Sequence, residues 1–310
     1  MLDLTNMKFA MNMYGGSEKK RTMFMDNRWY MVKFPDPVRE RRNDLSYMNN
    51  SFSEYLGCHI LSSMGFDVQK TFLGEFHTKA GKTKIVVACE DFTQDGAILT
   101  EFSKLLTNDV ENDRHIAKSV IPIESVFRLL DETPETVNHP EFKDKFWDMF
   151  VADTLIGNQD RHLDNWGFLT DKSGIRFAPI YDCGSSLSPL LSDERIKDAL
   201  ADKDIFAALE YNLSSPYSLD GKRIFYPSIY QTPPMELERA LERVVPKIDR
   251  NVILALIDQT EGMSDIRKQY VAKAVMYRSE QLLERALKRK RKREEKARRH
   301  ERQKNNGWSR

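Results

Sequence analysis

Between Asp153 and Ser186 the chain reads DTLIGNQDRHLDNWGFLTDKSGIRFAPIYDCGSS, and this stretch constrains the fold more than any other. An apolar, aromatic run, Phe146-Trp147-Asp148-Met149-Phe150-Val151-Ala152, leads into Gly157-Asn158 as a helix. A strand-like Arg176-Phe177-Ala178-Pro179-Ile180-Tyr181 then returns the chain to Asp182. Asp160 is followed five residues later by Asn165, and Asp182 comes seventeen residues after that. A buried scaffold that ends in clustered carboxylates and amides suits a cation. The run DRHLDN admits a second reading, a polar loop whose Asp and Asn residues cap helices.

The N-terminal third reads as strands around one helix. Met23-Phe24-Met25 and Trp29-Tyr30-Met31-Val32-Lys33-Phe34 flank the turn residues Asp26-Asn27. Upstream, the Tyr14-to-Lys20 segment YGGSEKK is either a plain glycine turn or a turn folded over phosphates. Lys33 lies in an apolar strand, where an unpaired ammonium is costly. Phe52, Tyr55, Leu56, His59, Ile60 and Met64 recur at helical spacing, and Glu54 projects beside that stripe as a partner for Lys33. An exposed edge lysine is the other reading. Gln69 to His77 and Lys84 to Phe92 form the next strands, with Ile85-Val86-Val87-Ala88-Cys89 as a buried central strand.

An Asp followed five residues later by an Asn, with a further Asp downstream, is the order of a protein-kinase catalytic loop and its metal-binding motif. The small motifs are rearranged here: Asp160-Arg161-His162 stands for His-Arg-Asp, and Asp182-Cys183-Gly184 for Asp-Phe-Gly. In FWDMFVADTLIGNQDRHLDNWGF and APIYDCGSS the chain resembles the HipA-like serine/threonine kinases, most closely their short CtkA-type members. The resemblance implies a two-lobed α+β kinase-like fold, with a β-rich N-lobe and a mostly α-helical C-lobe. It implies ATP and Mg²⁺ as cofactors, a protein Ser/Thr acceptor and autophosphorylation. It also implies toxin-like behaviour with an antitoxin-like partner. Residue by residue, Asp160 takes the place of the catalytic Asp, Asn165 and Asp182 of the magnesium ligands, and Lys33 of the nucleotide lysine, paired with Glu54. Glu90 and Phe92 fall at the hinge, and Tyr14, Gly15, Gly16 and Ser17 fall on the phosphate-binding loop. The longer family members add an N-terminal subdomain and a regulatory serine; Asn12 stands at the position aligned with that serine, which argues against control by autophosphorylation at that site and leaves Ser17 as a candidate substitute.

Charge is distributed unevenly. From Lys288 to Lys304 eleven Lys and Arg face Glu294, Glu295 and Glu301, a surplus of eight, which leaves −7 on the remainder of a chain of net +1. Apolar residues end at Leu287, so residues 288–310 are expected to form a frayed or flexible basic tail that binds polyanions without sequence preference. That tail supports an alternative, a nucleic-acid- or partner-binding module; a pseudokinase is a further one, opposed by the intact Lys33, Asp160, Asn165 and Asp182. Cys58, Cys89 and Cys183 show no CxxC spacing, which argues against a disulfide framework or a structural zinc site. No signal peptide or membrane-spanning run is read, and a cytoplasmic location is expected.

The expected division is residues 1–92 as N-lobe, 93–287 as C-lobe and 288–310 as tail. Thr93 to Pro140 carries weak helical patterns and no visible chemistry. Ser186 to Pro234, rich in Ser, Asp, Tyr and Pro, reads as an irregular segment over the substrate face. His162, between Asp160 and Asp164, reads as a structural histidine that fixes the loop, in preference to a DxHxD metal cluster.

Overall fold

The computed structural model describes residues 1–10, 20–35, 49–106 and 120–307, with side chains described as far as 303. The N-terminal part is built by hairpins. Strands β1 (Leu2–Asp3), β2 (Phe9–Ala10), β3 (Lys20–Met25) and β4 (Arg28–Lys33) come first. Asp26 and Asn27 join β3 to β4 with φ of 49° and 63°. Positive φ at both central residues is what a two-residue type I′ turn requires, and Asp and Asn tolerate it. Helix α1 (Asn50–Ser63) is followed by β5 (Thr71–His77) and β6 (Thr83–Glu90), which turn at Gly81. The six strands lie in the order β1-β5-β6-β4-β3-β2, with β1 parallel to β5 and the other pairs antiparallel.

Strand alternation divides the apolar residues between two faces. Val87 and Cys89 of β6 join Phe52, Leu56 and Ile60 of α1 in the main core. Val86 and Ala88 point the other way and pack with Leu4, Met23, Val32 and Phe34. With apolar cover on both faces, β6 is the central strand that its sequence predicts.

The C-terminal part is mostly helical. It contains β7 (Ile98–Glu101), β8 (Ile121–Pro122), α2 (Ile123–Glu132) and α3 (Glu141–Ile156), then β9 (Gly167–Asp171) and β10 (Gly174–Phe177). Strands β10, β9 and β7 form a small sheet. Helix α3 buries Phe146, Trp147, Met149 and Phe150 together with Leu155 and Ile156, and so runs through the centre of this part. Gly157 stops it with φ +66°, a left-handed cap that glycine takes without strain.

The segment expected to be irregular is ordered. Residues 186–234 contain α4 (Asp193–Ala201), α5 (Lys203–Tyr211), β11 (Ser214–Leu219), β12 (Lys222–Phe225) and the short α6 (Tyr226–Ile229). The polar residues that suggested a loop are caps: Ser192 accepts from Arg195 N, and Asp202 from Asp204 N and Ile205 N. Between the caps, Ile196, Phe206, Tyr217 and Tyr226 are buried.

Helices α7 (Met235–Val244), α8 (Arg250–Asp258) and α9 (Asp265–Tyr277) follow, and a π-helical turn at Arg278–Glu284 leads into α10 (Arg285–Gly307). Ser264 caps α9 as its position predicts. The apolar contacts do end at Leu287, but the attachment of the helix does not. Lys290 is buried, with Nζ donating to Glu242 and Glu294; Arg289 reaches the Tyr230 carbonyl, and Arg293 meets Glu238. Ionic contacts therefore hold the start of the basic segment against α7, where an apolar pattern shows nothing.

Candidate active site

The loop after α3 is fixed from beneath. Asn158 is fully buried: its Nδ2 donates to Asp153 Oδ1 at 3.0 Å, and its Oδ1 accepts from Asp160 N at 3.1 Å. The Tyr226 hydroxyl donates to the Asn158 carbonyl. Arg161, also buried, donates to both carboxylate oxygens of Asp153, at 2.9 and 3.0 Å, to the Asn165 carbonyl at 2.7 Å and to the Tyr181 carbonyl. One guanidinium thus ties the end of α3, the Asp160–Asn165 loop and the chain entering Asp182. A planar, always-charged fork suits this task as an ammonium would not.

On that base the expected residues converge. Asn165 Nδ2 donates to the Asp160 carbonyl at 2.8 Å, which turns the amide oxygen the other way. Lys33 Nζ lies 2.9 Å from Glu54 Oε2 and 2.7 Å from Asp182 Oδ1. Glu54 also accepts from Cys183 N at 3.0 Å through Oε1. The strand lysine, the α1 glutamate and the Asp182 turn therefore form one closed network across the two parts of the molecule. Asp182 has φ 55°, a left-handed conformation that Asp adopts more readily than most residues.

The two carboxylates differ electrostatically. Burial opposes ionisation of Asp182, but the Lys33 ammonium outweighs it and, with Lys20 and Arg161, holds the pKa at about 2. For Asp160, loss of water around the carboxyl raises the pKa; His162 pulls it down and the Asp182 charge pushes it up. Ser185 Oγ lies 3.4 Å from Asp160 Oδ2, a contact with no signal in the spacing of the motifs.

His162 accepts from Asp164 N at 3.2 Å through Nδ1, a local brace. Among the described residues no group of three or more His, Cys, Asp or Glu is placed to hold a metal. Asp182 and Asn165 offer one carboxylate and one amide oxygen, hard donors of the kind Mg²⁺ accepts when phosphates and water supply its other ligands. The donor set fits that ion.

Glu90, expected at the hinge, ends β6. Its N–H donates to the Lys70 carbonyl at 2.8 Å, and its carbonyl accepts from Gln69 Nε2 at 3.0 Å. The Phe92 ring lies 5.7 Å from the Tyr181 ring. Tyr14, Gly15, Gly16 and Ser17 lie outside the described residues. Sequence reasoning missed Asp153, Asn158 and Arg161. The signal available for them was a carboxylate within an apolar helix, eight residues ahead of an arginine.

A sequence model of the HipA-like C-terminal domain matches residues 6–252. The chain belongs to that family. The serine/threonine-protein kinase CtkA of Helicobacter pylori is 39% identical over 264 residues, covering 83% of this chain and 78% of CtkA. A crystal structure of a proinflammatory kinase CtkA from the same organism superposes with a TM-score of 0.82 at 36% identity, over 93% of this chain and 97% of that one. HipA in the Shewanella oneidensis toxin–antitoxin complex with HipB and operator DNA shares the fold, with a TM-score of 0.51 at 14% identity, over 91% of this chain and 70% of that one. This HipA-like protein is a serine/threonine protein kinase of α+β fold. No helix among the described residues is long and apolar enough to cross a membrane.

Proposed function

We propose that the cleft around Lys33, Asp160 and Asp182 transfers the γ-phosphoryl group of ATP to serine or threonine hydroxyls of proteins, this chain among them. The observation that carries the reading is the Lys33–Glu54–Asp182 network, which sets an ammonium beside a carboxylate held ionised. In this reading Lys33 binds phosphate oxygens, and Glu54 keeps its side chain extended into the cleft. Asn165 and Asp182 hold Mg²⁺, which when bound neutralises phosphate charge. Asp160 accepts a hydrogen bond from the acceptor hydroxyl and orients it in line. The hydroxyl oxygen bonds to phosphorus as the bond to the β–γ bridging oxygen breaks, and the proton leaves toward Asp160. Glu90 and Phe92 border the nucleotide base, and the glycine segment Tyr14–Ser17, outside the described residues, is assigned to the phosphates on its sequence alone.

Incubation with ATP and Mg²⁺, followed by intact mass and by transfer to a generic protein acceptor, tests this reading. Phosphate gain by the wild type and not by Asp160→Ala is expected. Equal mass in both, with no transfer to the acceptor, would refute it.

A further inference from the structure

The main chain and the carboxylate of Asp160 are held by different groups. Its N–H donates to Asn158 Oδ1 at 3.1 Å, and its carbonyl accepts from Asn165 Nδ2 at 2.8 Å. Neither bond sets the plane of the carboxylate, because the χ2 torsion of Asp is broad and two-fold and leaves that plane free. Among the described residues the carboxylate oxygens meet two side chains. His162 Nε2 stands 4.0 Å from Oδ1, beyond hydrogen-bond reach. Ser185 Oγ lies 3.4 Å from Oδ2, a long hydrogen bond of the kind that tightens when substrate closes a catalytic site.

Ser185 is brought there by a stiff backbone. Cys183 N donates to Glu54 Oε1, and Ser186 N to the Cys183 carbonyl, each at 3.0 Å. Ser186, fully buried, turns its hydroxyl inward to the same carbonyl at 2.7 Å. Leu187 N donates to the Ile156 carbonyl, at the end of α3, at 2.9 Å. Gly184 passes so close to α1 that a Cβ there would stand 3.2 Å from Glu54 Oε2. The turn that carries Asp182 therefore also delivers a hydroxyl, three residues on, to the carboxylate of the Asp160–Asn165 loop.

We infer that Ser185 is a positioning residue for phosphoryl transfer: its hydroxyl donates to Oδ2 of Asp160, fixes the carboxylate plane and leaves Oδ1 to the acceptor hydroxyl. The inference rests on the kinase reading and adds to it what aims the carboxylate. Ser185 acts through Asp160 and not on the nucleotide, so it bears on turnover and not on ATP affinity.

Steady-state phosphate transfer from ATP to casein by the full chain, with Mg²⁺, tests this. Ser185→Ala is expected to lower kcat on the order of tenfold, as loss of one hydrogen bond to a charged group implies, with KM for ATP unchanged. Ser185→Thr keeps the hydroxyl and should keep most of the rate. In the Asp160→Ala background, followed with labelled ATP, Ser185→Ala should lower the residual rate no further, because the two residues act through one contact. A serine with a merely structural role would lower both backgrounds alike. If Ser185→Ala does not fold, Ser185→Cys, of similar shape but a weak donor, makes the same comparison. Wild-type kcat in Ser185→Ala overturns the inference. So does an equal loss in both backgrounds, or phosphate mapped to Ser185 in the wild type, which would make it an acceptor. No transfer by the wild type would overturn the kinase reading and the inference with it.

Discussion

Arg161 Nε and Nη2 grip the two oxygens of Asp153 at 2.9 and 3.0 Å, with both side chains sealed from solvent. Removing one member leaves the other as a buried unpaired charge, which costs about 3–5 kcal/mol. Asp153→Ala and Arg161→Met should each lower the unfolding free energy by that order, and both should lose phosphoryl transfer, since the loop carrying Asp160 is hung on this pair. A variant that melts like the wild type would show that the pair does not hold the loop.

Lys33→Met should lower kcat/KM on the order of 100-fold, the scale for removing one preorganised charge donor, and should also lower the melting temperature, because buried Glu54 loses its cation. Glu54→Gln should show a milder defect, because Lys33 keeps Asp182 as a partner. Steady-state kinetics beside a melting curve separate the two expectations; an unchanged kcat/KM in Glu54→Gln would remove Glu54 from the mechanism.

The pH dependence follows from the two carboxylates. Asp160 has a raised pKa, and in the proposed reaction it acts ionised, so the acid limb of the rate profile should lie above the value of a free aspartate. His162→Ala removes a group that lowers that pKa and should move the limb further up. Asp182 is the opposite case. Its pKa is depressed, so the stability from its pairing is complete above the unfolded value of about 4 and is lost as pH falls through about 2. Melting curves of the wild type and Asp182→Asn should converge across that window. Asn is the cleaner probe than Ala, because it too tolerates the left-handed backbone at this position.

The basic helix gives a prediction in two steps. A chain ended at Glu295 keeps the contacts of Arg289, Lys290 and Arg293 and should melt like the full chain. A chain ended at Leu287 loses them and should melt lower, by about 1 kcal/mol for each of the better-buried contacts. Retention on heparin should fall with each cut and weaken steeply with salt. Equal melting of both truncations would show that the ionic contacts contribute nothing to the fold.

What was legible in the sequence was local. Asp26-Asn27 predicts its turn by chemistry, the Phe52-Leu56-Ile60 stripe predicts α1, and the spacing of Asp160, Asn165 and Asp182 survives without a structure because short loops fix it. Contacts between distant segments carry no such period. Arg161 stands in plain view beside Asp160, yet its partners at Asp153 and Tyr181 are set by tertiary packing. The caps Ser192 and Asp202 read as loop polarity in the sequence because the helices they start are short. The hold on Lys290 by Glu242 is ionic and spans 48 residues, beyond the reach of hydropathy.

The closed Lys33–Glu54–Asp182 network has a consequence for control. A binding-competent state that is populated only in part taxes apparent affinity by that fraction. Here Glu54 of α1 is tied both to Lys33 and to the backbone N–H of Cys183, so a state with α1 swung away from the sheet gives up a buried ion pair and uncovers the Asp182 turn. Control that acts by moving α1 carries that cost, whereas control that fills or charges the cleft does not.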